Sequence, residues 1–358
     1  MVPAKQPSPT SPESVLGPRF ARTRGDWSPL SHIAGEGAER SEAGEGLGDT
    51  KSPSQQKILV IKLGALGDIV QVMGAAAAVR THHPDAEITF LTTRPYADLA
   101  QRAPYFDAVW IDERPGWGDP LGWLRLARRL HRAGFARVYD FQTRARTATY
   151  FLMMGRPEWS GTAPFASYPH RNPRRDRMHT LDRQEEQLRL AGVAGPVPLP
   201  DLTWAVVEPA RFAPPGEYVL LIPGGSPHRP EKRWPIAHYA ALAEQIAAVG
   251  IVPVVIGAQA ERQLGQAIAK AVGATRDLTG ETGFGDIVAL ASRARRAVGN
   301  DTGPVHLAVA AGASATVLYS AASDPALTAP RGRDVVILRR DDLAALGVAE
   351  VAATLGLG

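Results

Sequence analysis

From Lys57 onward the chain alternates: a short apolar run, a loop carrying Gly, Asp or Pro, then a stretch whose apolar residues recur at helical spacing. Lys57 to Leu63 is the first such run, Gly64 to Gly67 a tight loop, and Ile69, Val72, Met73 and Ala76 the apolar face of a helix closed by Pro84. Strands are expected at Glu87–Thr93, Ala108–Asp112 and Arg137–Phe141, with helices at Tyr96–Arg102 and, rich in arginine, Leu121–Ala133. Strands joined through helices pair in parallel and are covered by those helices on both faces.

Between Arg156 and Arg183 the periodicity fades while Pro, Arg and His accumulate; after Pro196–Pro200 and Pro214-Pro215 the alternation restarts. Strands are expected at Tyr218–Ile222, Ile251–Ile256, Arg296–Gly299, Ala315–Tyr319 and Val335–Leu338. Helices are expected at Ile236–Val249, Glu261–Val272, Gly285–Ser292 and Pro304–Ala311. The fold class is therefore α/β: two Rossmann-like parallel-sheet domains, 57–205 and 206–358, facing across a cleft. The closing helix, Leu343–Leu355, is free in sequence to pack on either half, including back on the first domain. Residues 1–56 hold Pro, Ser and Gly with six Lys or Arg against seven Asp or Glu and no apolar period, and are expected to be disordered. No function is assigned to them.

Composition removes several classes. The 358 residues contain no cysteine, which excludes a disulfide scaffold, a thiolate metal site and a cysteine nucleophile. No apolar stretch approaches the ~18 residues of a membrane span, and the first residues lack the apolar segment of a secretory signal, so the expected location is cytoplasmic. A net charge of +4 does not by itself argue for nucleic acid.

In open parallel sheets ligands bind beyond the carboxyl ends of strands, so the informative loops are those directly after strands. The first is Lys62-Leu63-Gly64-Ala65-Leu66-Gly67-Asp68. It is neither G-x-G-x-x-G nor a phosphate loop ending in Gly-Lys-Ser/Thr, which argues against a nicotinamide enzyme. Asp68 reads either as a helix N-cap or as a general base. The two roles compete, because helix N–H groups stabilise a carboxylate and weaken it as a base. The second loop, Asn300-Asp301-Thr302-Gly303-Pro304-Val305-His306, opens a helix with Pro in its first turn and suits an anion, with hydroxyl and imidazole donors from Thr302 and His306. A plain helix cap with a structural histidine is the other reading. The third pairs Pro223-Gly224-Gly225-Ser226 with Lys232-Arg233-Trp234-Pro235, fitting either a pyrophosphate or a solvated basic loop anchored by Trp234. Arg137 to Arg183 adds nine Arg against four Asp or Glu, with His170 and His179, a surface for an acidic ligand or a solvated insertion. No aromatic residues interleave there as nucleic-acid stacking requires, so no nucleic-acid partner is expected.

Taken in order, Leu66-Gly67-Asp68, Pro223-Gly224-Gly225-Ser226, Lys232-Arg233-Trp234-Pro235, Asp301-Thr302-Gly303-x-x-His306-Leu307-Ala308 and Ser323-Asp324-Pro325 resemble glycosyltransferase family 9, the ADP-heptose:lipopolysaccharide heptosyltransferases. The resemblance runs from about Lys57 to the C-terminus and implies the GT-B fold. It implies an inverting transfer of heptose from ADP-heptose to the lipopolysaccharide inner core, with Asp68 as general base. It further implies donor contacts from Gly225, Ser226, Lys232, Asp301, Thr302, Gly303 and His306, and a ribose-binding role for Glu261, four residues beyond Gly257. The implied acceptor is an acidic glycolipid, met at the inner face of the membrane by peripheral contact. No cofactor is required on this reading; no metal motif is present, although a lone Mg²⁺ site would leave no trace in sequence. A GT-B transferase or epimerase using another nucleotide sugar, and a non-catalytic nucleotide-sugar-binding homologue, are the alternatives.

Overall fold

A computed structural model describes residues 55–116, 118–207, 211–226 and 228–357. The expectation for residues 1–56 lies outside these apart from Gln55 and Gln56, and Gln56 already accepts a hydrogen bond from Glu87 N at 2.9 Å.

The first half runs β1 (Lys57–Ile61), α1 (Leu66–His82), β2 (Glu87–Thr92), α2 (Ala97–Arg102), β3 (Ala108–Ile111), α3 (Pro120–Ala133), β4 (Arg137–Asp140), α4 (Ala145–Met153), β5 (Glu158–Gly161), β6 (Tyr168–Pro169) and α5 (Thr180–Leu190). Its strands order as β3-β2-β1-β4-β5-β6, all parallel. The second half runs β7 (Tyr218–Ile222), α6 (Ile236–Ala248), β8 (Val252–Val255), α7 (Arg262–Ala271), β9 (Arg276–Asp277), α8 (Phe284–Ala291), β10 (Arg296–Asn300), α9 (Gly303–Ala310), β11 (Ala315–Tyr319), α10 (Pro325–Thr328), β12 (Val335–Arg339) and α11 (Val348–Ala353). Its order, β12-β11-β10-β7-β8-β9, repeats the first sheet's topology. In each sheet the order reverses beside the first strand, between β1 and β4 and between β7 and β10. These are the switch points where a ligand crevice opens.

Three segments between the expected strands carry structure that periodicity did not announce: α4, β5, β6 and α5 lie before, in or directly after the stretch where the pattern faded, β9 follows α7, and α10 lies between β11 and β12. The reason is visible in α5, whose buried face includes Thr180, Gln184 and Gln187 rather than aliphatic residues alone. Gln187 Nε2 donates to Asp140 O at 3.0 Å and Ser160 O at 3.2 Å, so the helix is fastened to β4 and β5 by hydrogen bonds that no hydrophobic period reveals. The tail is also corrected. It is a turn at Leu343–Ala345 followed by α11, interrupted at Gly347, and it packs on α6 of the second half. Leu343, Leu346, Val351 and Leu355 close a cluster with Trp234 and Tyr239, and Trp234 Nε1 donates to Leu346 O at 2.9 Å, which holds this segment to the second half.

The halves meet through α1 and α9, both buried on nearly every side. Apolar burial of this kind contributes on the order of 1.5–3 kcal/mol per large side chain, and glycine lets the backbones come close enough to achieve it. A Cβ on Gly303 would fall 2.5 Å from Leu66 Cβ, and one on Gly74 would fall 2.1 Å from the carbonyl oxygen of Pro198. Gln71 Nε2 donates to Thr328 O at 2.9 Å and Leu202 N to Ala310 O at 2.8 Å across the same seam. No helix among the described residues is long and apolar enough to cross a membrane.

Candidate active site

The three loops singled out in the sequence converge on the crevice between the sheets. The first turn of α1 lies against the first turn of α9: a Cβ on Gly67 would sit 3.0 Å from His306 Cδ2. Asp68 is not the N-cap. Ala65 holds that position, and Asp68, at the third helical residue, accepts a hydrogen bond from Ala65 N at 3.1 Å. Its other oxygen meets Lys62 Nζ at 3.2 Å. Lys62 is buried and also donates to Phe141 O at 3.3 Å. Burial lowers the Lys62 pKa, while the neighbouring Asp68 carboxylate pulls it back up.

On the opposite wall, Lys232 Nζ lies 2.7 Å from Asp301 Oδ2, with the two side chains only 14% and 9% exposed. His306 Nε2 stands 3.8 Å from the other Asp301 oxygen. Burial works to raise the Asp301 carboxyl, but His306 and the Lys232 ammonium outweigh it and hold the group well below the usual carboxylate range. Thr302 is the N-cap of α9, yet its buried hydroxyl has no partner among the described residues. A buried polar atom left open at a helix N-terminus is suited to an anionic ligand.

Asn300, the last residue of β10, organises this wall and carried no role in the sequence reading. Its buried amide donates to Pro223 O at 2.9 Å and Gly224 O at 3.0 Å, and accepts from Trp234 N at 3.0 Å and Tyr239 OH at 3.2 Å. All four hydrogen-bonding directions of the amide are filled, which fixes the glycine turn, the Lys232 segment and β10 relative to one another. Glu261 is drawn onto that turn. It accepts from Gly225 N and from Ala258 N, each at 2.8 Å. Gly225 therefore lines the crevice with its N–H already engaged, and Arg233 Nη2 braces its carbonyl at 2.6 Å.

The crevice has three connected lobes. One, about 430 Å³, is lined by Ser226, Lys232, Glu261, Asp301 and Thr302 among others, and contains every expected donor residue except His306. A second, about 400 Å³, shares Lys232, Asp301, Thr302 and Gly303 with the first and adds Asp68 and His306. The third, about 580 Å³, shares Asp68 with the second and is walled by Lys62, Gln142, Thr143, Arg144, Arg175 and Arg183. Asp68 thus sits at the boundary between the central lobe and a strongly cationic one. His306 belongs to the central lobe with Asp68.

The composition bias between Arg137 and Arg183 pointed to this cationic region but did not separate its members. Arg144, Arg175 and Arg183 reach the lobe, whereas Arg137 is occupied by Glu158 and Tyr168 at the far end of β4. The two histidines are structural. His170 is buried 3.5 Å from Glu186, and His179 caps α5 through Leu181 N and donates to Ala329 O at 2.9 Å across the seam. Among the described residues no three His, Asp or Glu side chains gather as a metal site.

The family model described as glycosyltransferase family 9 (heptosyltransferase) matches residues 123–348. Lipopolysaccharide heptosyltransferase 2 of Escherichia coli (strain K12) is 32% identical over 311 residues, spanning 79% of this chain and 88% of that protein. Lipopolysaccharide core heptosyltransferase OpsX of Haemophilus influenzae is 23% identical over 299 residues, 78% of this chain and 83% of that one. Among solved structures, E. coli ADP-heptose lps heptosyltransferase II superimposes with a TM-score of 0.72 at 22% identity, covering 84% of this chain and 98% of that one. E. coli heptosyltransferase WaaC with ADP gives 0.71 at 19%, covering 84% and 99%. At such identities the structures speak for the fold, which is GT-B, while the sequence match speaks for descent. The chain belongs to glycosyltransferase family 9 and is a glycosyltransferase.

Proposed function

We propose that the protein transfers heptose from ADP-heptose to an acidic sugar of the lipopolysaccharide inner core, inverting the anomeric centre, with Asp68 as general base. The observation that carries this reading is the position of Asp68, where the central lobe meets the cationic lobe, with the Lys232–Asp301 pair on the opposite wall. A donor laid along the first lobe presents its diphosphate to Lys232, Thr302 and the first turn of α9. Its sugar then enters the central lobe beside Asp301 and His306. An acceptor held by Arg144, Arg175 and Arg183 brings its hydroxyl to Asp68 from the other side.

Transfer passes through an oxocarbenium-like state, as glycoside cleavage does. The acceptor hydroxyl becomes acidic only as its bond to the anomeric carbon forms, so a carboxylate is a strong enough base if it is well placed. Lys62 and Ala65 N hold it in place. Negative charge grows on the departing diphosphate, where Lys232 and the α9 terminus stabilise it in a partly buried setting. These residues supply the charge compensation themselves, and no cofactor is required on this reading. The cationic lobe favours transfer over epimerisation, which needs no second substrate. A lipid-linked acceptor also implies peripheral contact with a membrane.

Two measurements test the proposal. Calorimetric titration with ADP-, UDP-, GDP- and CMP-sugars is expected to select ADP-heptose; preference for another nucleotide moves the donor. Proton NMR of the product is expected to show inversion at the transferred sugar, and retention would eliminate the single-displacement role of Asp68.

A further inference from the structure

The face of the first sheet turned away from α1 is covered by α3, α4 and the loop 162–166, which share one hydrophobic cluster containing Leu126, Leu130, Phe151, Ala163 and Ala166. Its outer surface departs from the rest of the molecule in two respects. Of the seven large hydrophobic side chains that stand exposed among the described residues, four are here: Leu121 and Leu124 on α3, Leu152 on α4 and Phe165 in the loop, the last 79% exposed. And none of the three segments contains an Asp or Glu. Leu121, Arg125, Arg128 and Arg132 follow one another at helical spacing along the exposed side of α3, with Arg125 sharing a small cavity with Glu113 and Asp119 at the near end. Arg156 stands beside the Phe165 ring at 6.0 Å.

We propose that this face docks on an anionic phospholipid bilayer. Guanidinium groups alone would serve any polyanion, but exposed leucine and phenylalanine in the same surface gain only by leaving water, and a headgroup layer over acyl chains satisfies both at once. A second copy of the chain meeting this face symmetrically would set arginine rows against each other, with only Glu113 and Asp119 at one end to answer them. Thr162, at the start of the loop bearing Phe165, lines the cationic lobe, so docking brings that lobe to the membrane surface. In this respect the inference rests on the proposed function, since it supplies the route by which a lipid-linked acceptor reaches Asp68.

The test is flotation of the full chain with vesicles of phosphatidylethanolamine containing about a quarter phosphatidylglycerol, against vesicles of phosphatidylcholine. Binding to the anionic vesicles is expected, weakening with salt. The combined R125E, R128E and R132E variant is expected to lower it by about a hundredfold or more, at roughly a factor of five per lost cation. L121S with L124S is expected to lower it several-fold with the salt dependence retained. These positions are exposed, and circular dichroism checks that the variants are folded; R125Q with R128Q gives a milder second series. Failure to bind anionic vesicles, or binding that none of these variants weakens, would overturn the inference, as would a concentration-dependent dimer that the same variants dissociate. Flotation needs neither donor nor acceptor. A protein that binds vesicles but transfers no sugar refutes the proposed function and leaves the docking face standing; one that transfers sugar but ignores vesicles does the reverse.

Discussion

The two halves share a strand order and place a helix N-terminus at each switch point, yet they use it in opposite ways. At α9 the terminus is left open: the Thr302 hydroxyl has no partner, and the nearest carboxylate, Asp301, is turned to Lys232. At α1 the chain's own carboxylate stands across the terminus, because Asp68 accepts from Ala65 N. An open helix terminus with a lysine beside it receives a diphosphate. One with a carboxylate across it offers that carboxylate instead, and cations for an acidic ligand must come from elsewhere, here from Lys62, Arg144, Arg175 and Arg183. On the proposed function, one topology thus yields a leaving-group site in one half and a base with its acceptor site in the other, and the difference lies in which residue stands in the first helical turn.

The sharpest way to break this contrast is to remove the proposed base. Asp68→Asn keeps an acceptor for Ala65 N, so turnover is expected to fall by about 10²–10⁴ with the calorimetric donor affinity little changed. Residual turnover above a few per cent would mean that α1 offers only a cap. The matching change in the other half is Lys232→Ala, expected to cost about 10²–10³ in turnover and to weaken donor binding as well. Because it also leaves the Asp301 carboxylate buried beside His306 alone, the variant is expected to be less stable than Lys232→Ala combined with Asp301→Ala, as compared by urea unfolding.

A smaller effect tests the support beneath the acceptor side. Asp140 is fully buried at the end of β4, and burial pushes its carboxyl up to about 6 against the hydrogen bonds from Thr143, Thr147 and Gln142. The folded protein therefore binds this proton more tightly than the unfolded chain, whose carboxyl titrates near ~3.9. Stability from this group is full below about pH 4 and is lost as the pH rises to about 6, by roughly 2–3 kcal/mol. Asp140→Asn retains the Oδ1 acceptor for Gln142 and Thr143. It is expected to flatten the pH dependence of the urea midpoint between pH 4 and 7 and to be the more stable protein at neutral pH. An unchanged slope would show that Asp140 does not titrate in that window.

Much of this was legible in one dimension. Strands buried on both faces read as apolar runs, and ligands bind beyond their carboxyl ends, so Asp68, Lys232, Asp301 and Thr302 stand out as candidates as soon as the runs are located. Where burial is polar the signal failed. The face of α5 held by Gln187, the amide of Asn300 with its four partners, and the seam made by His179 look in sequence like ordinary polar residues. Glu261 was legible only as a short pattern, and its seat on the Gly225 turn needed the turn itself.

The sequence by itself determined the alternation of strands and helices, and with it two parallel sheets and the positions of their ligand-facing loops, because hydrophobic period and turn chemistry are local properties. Only the tertiary structure decided that Asp68 shares one crevice with Lys232 and Asp301, which arginines of a basic stretch reach it, and that the closing helix stays with the second half. Each of these depends on distances between segments far apart in the chain. Such distances follow from how α1 packs on α9 and how side chains share the space between them, and no local pattern encodes that.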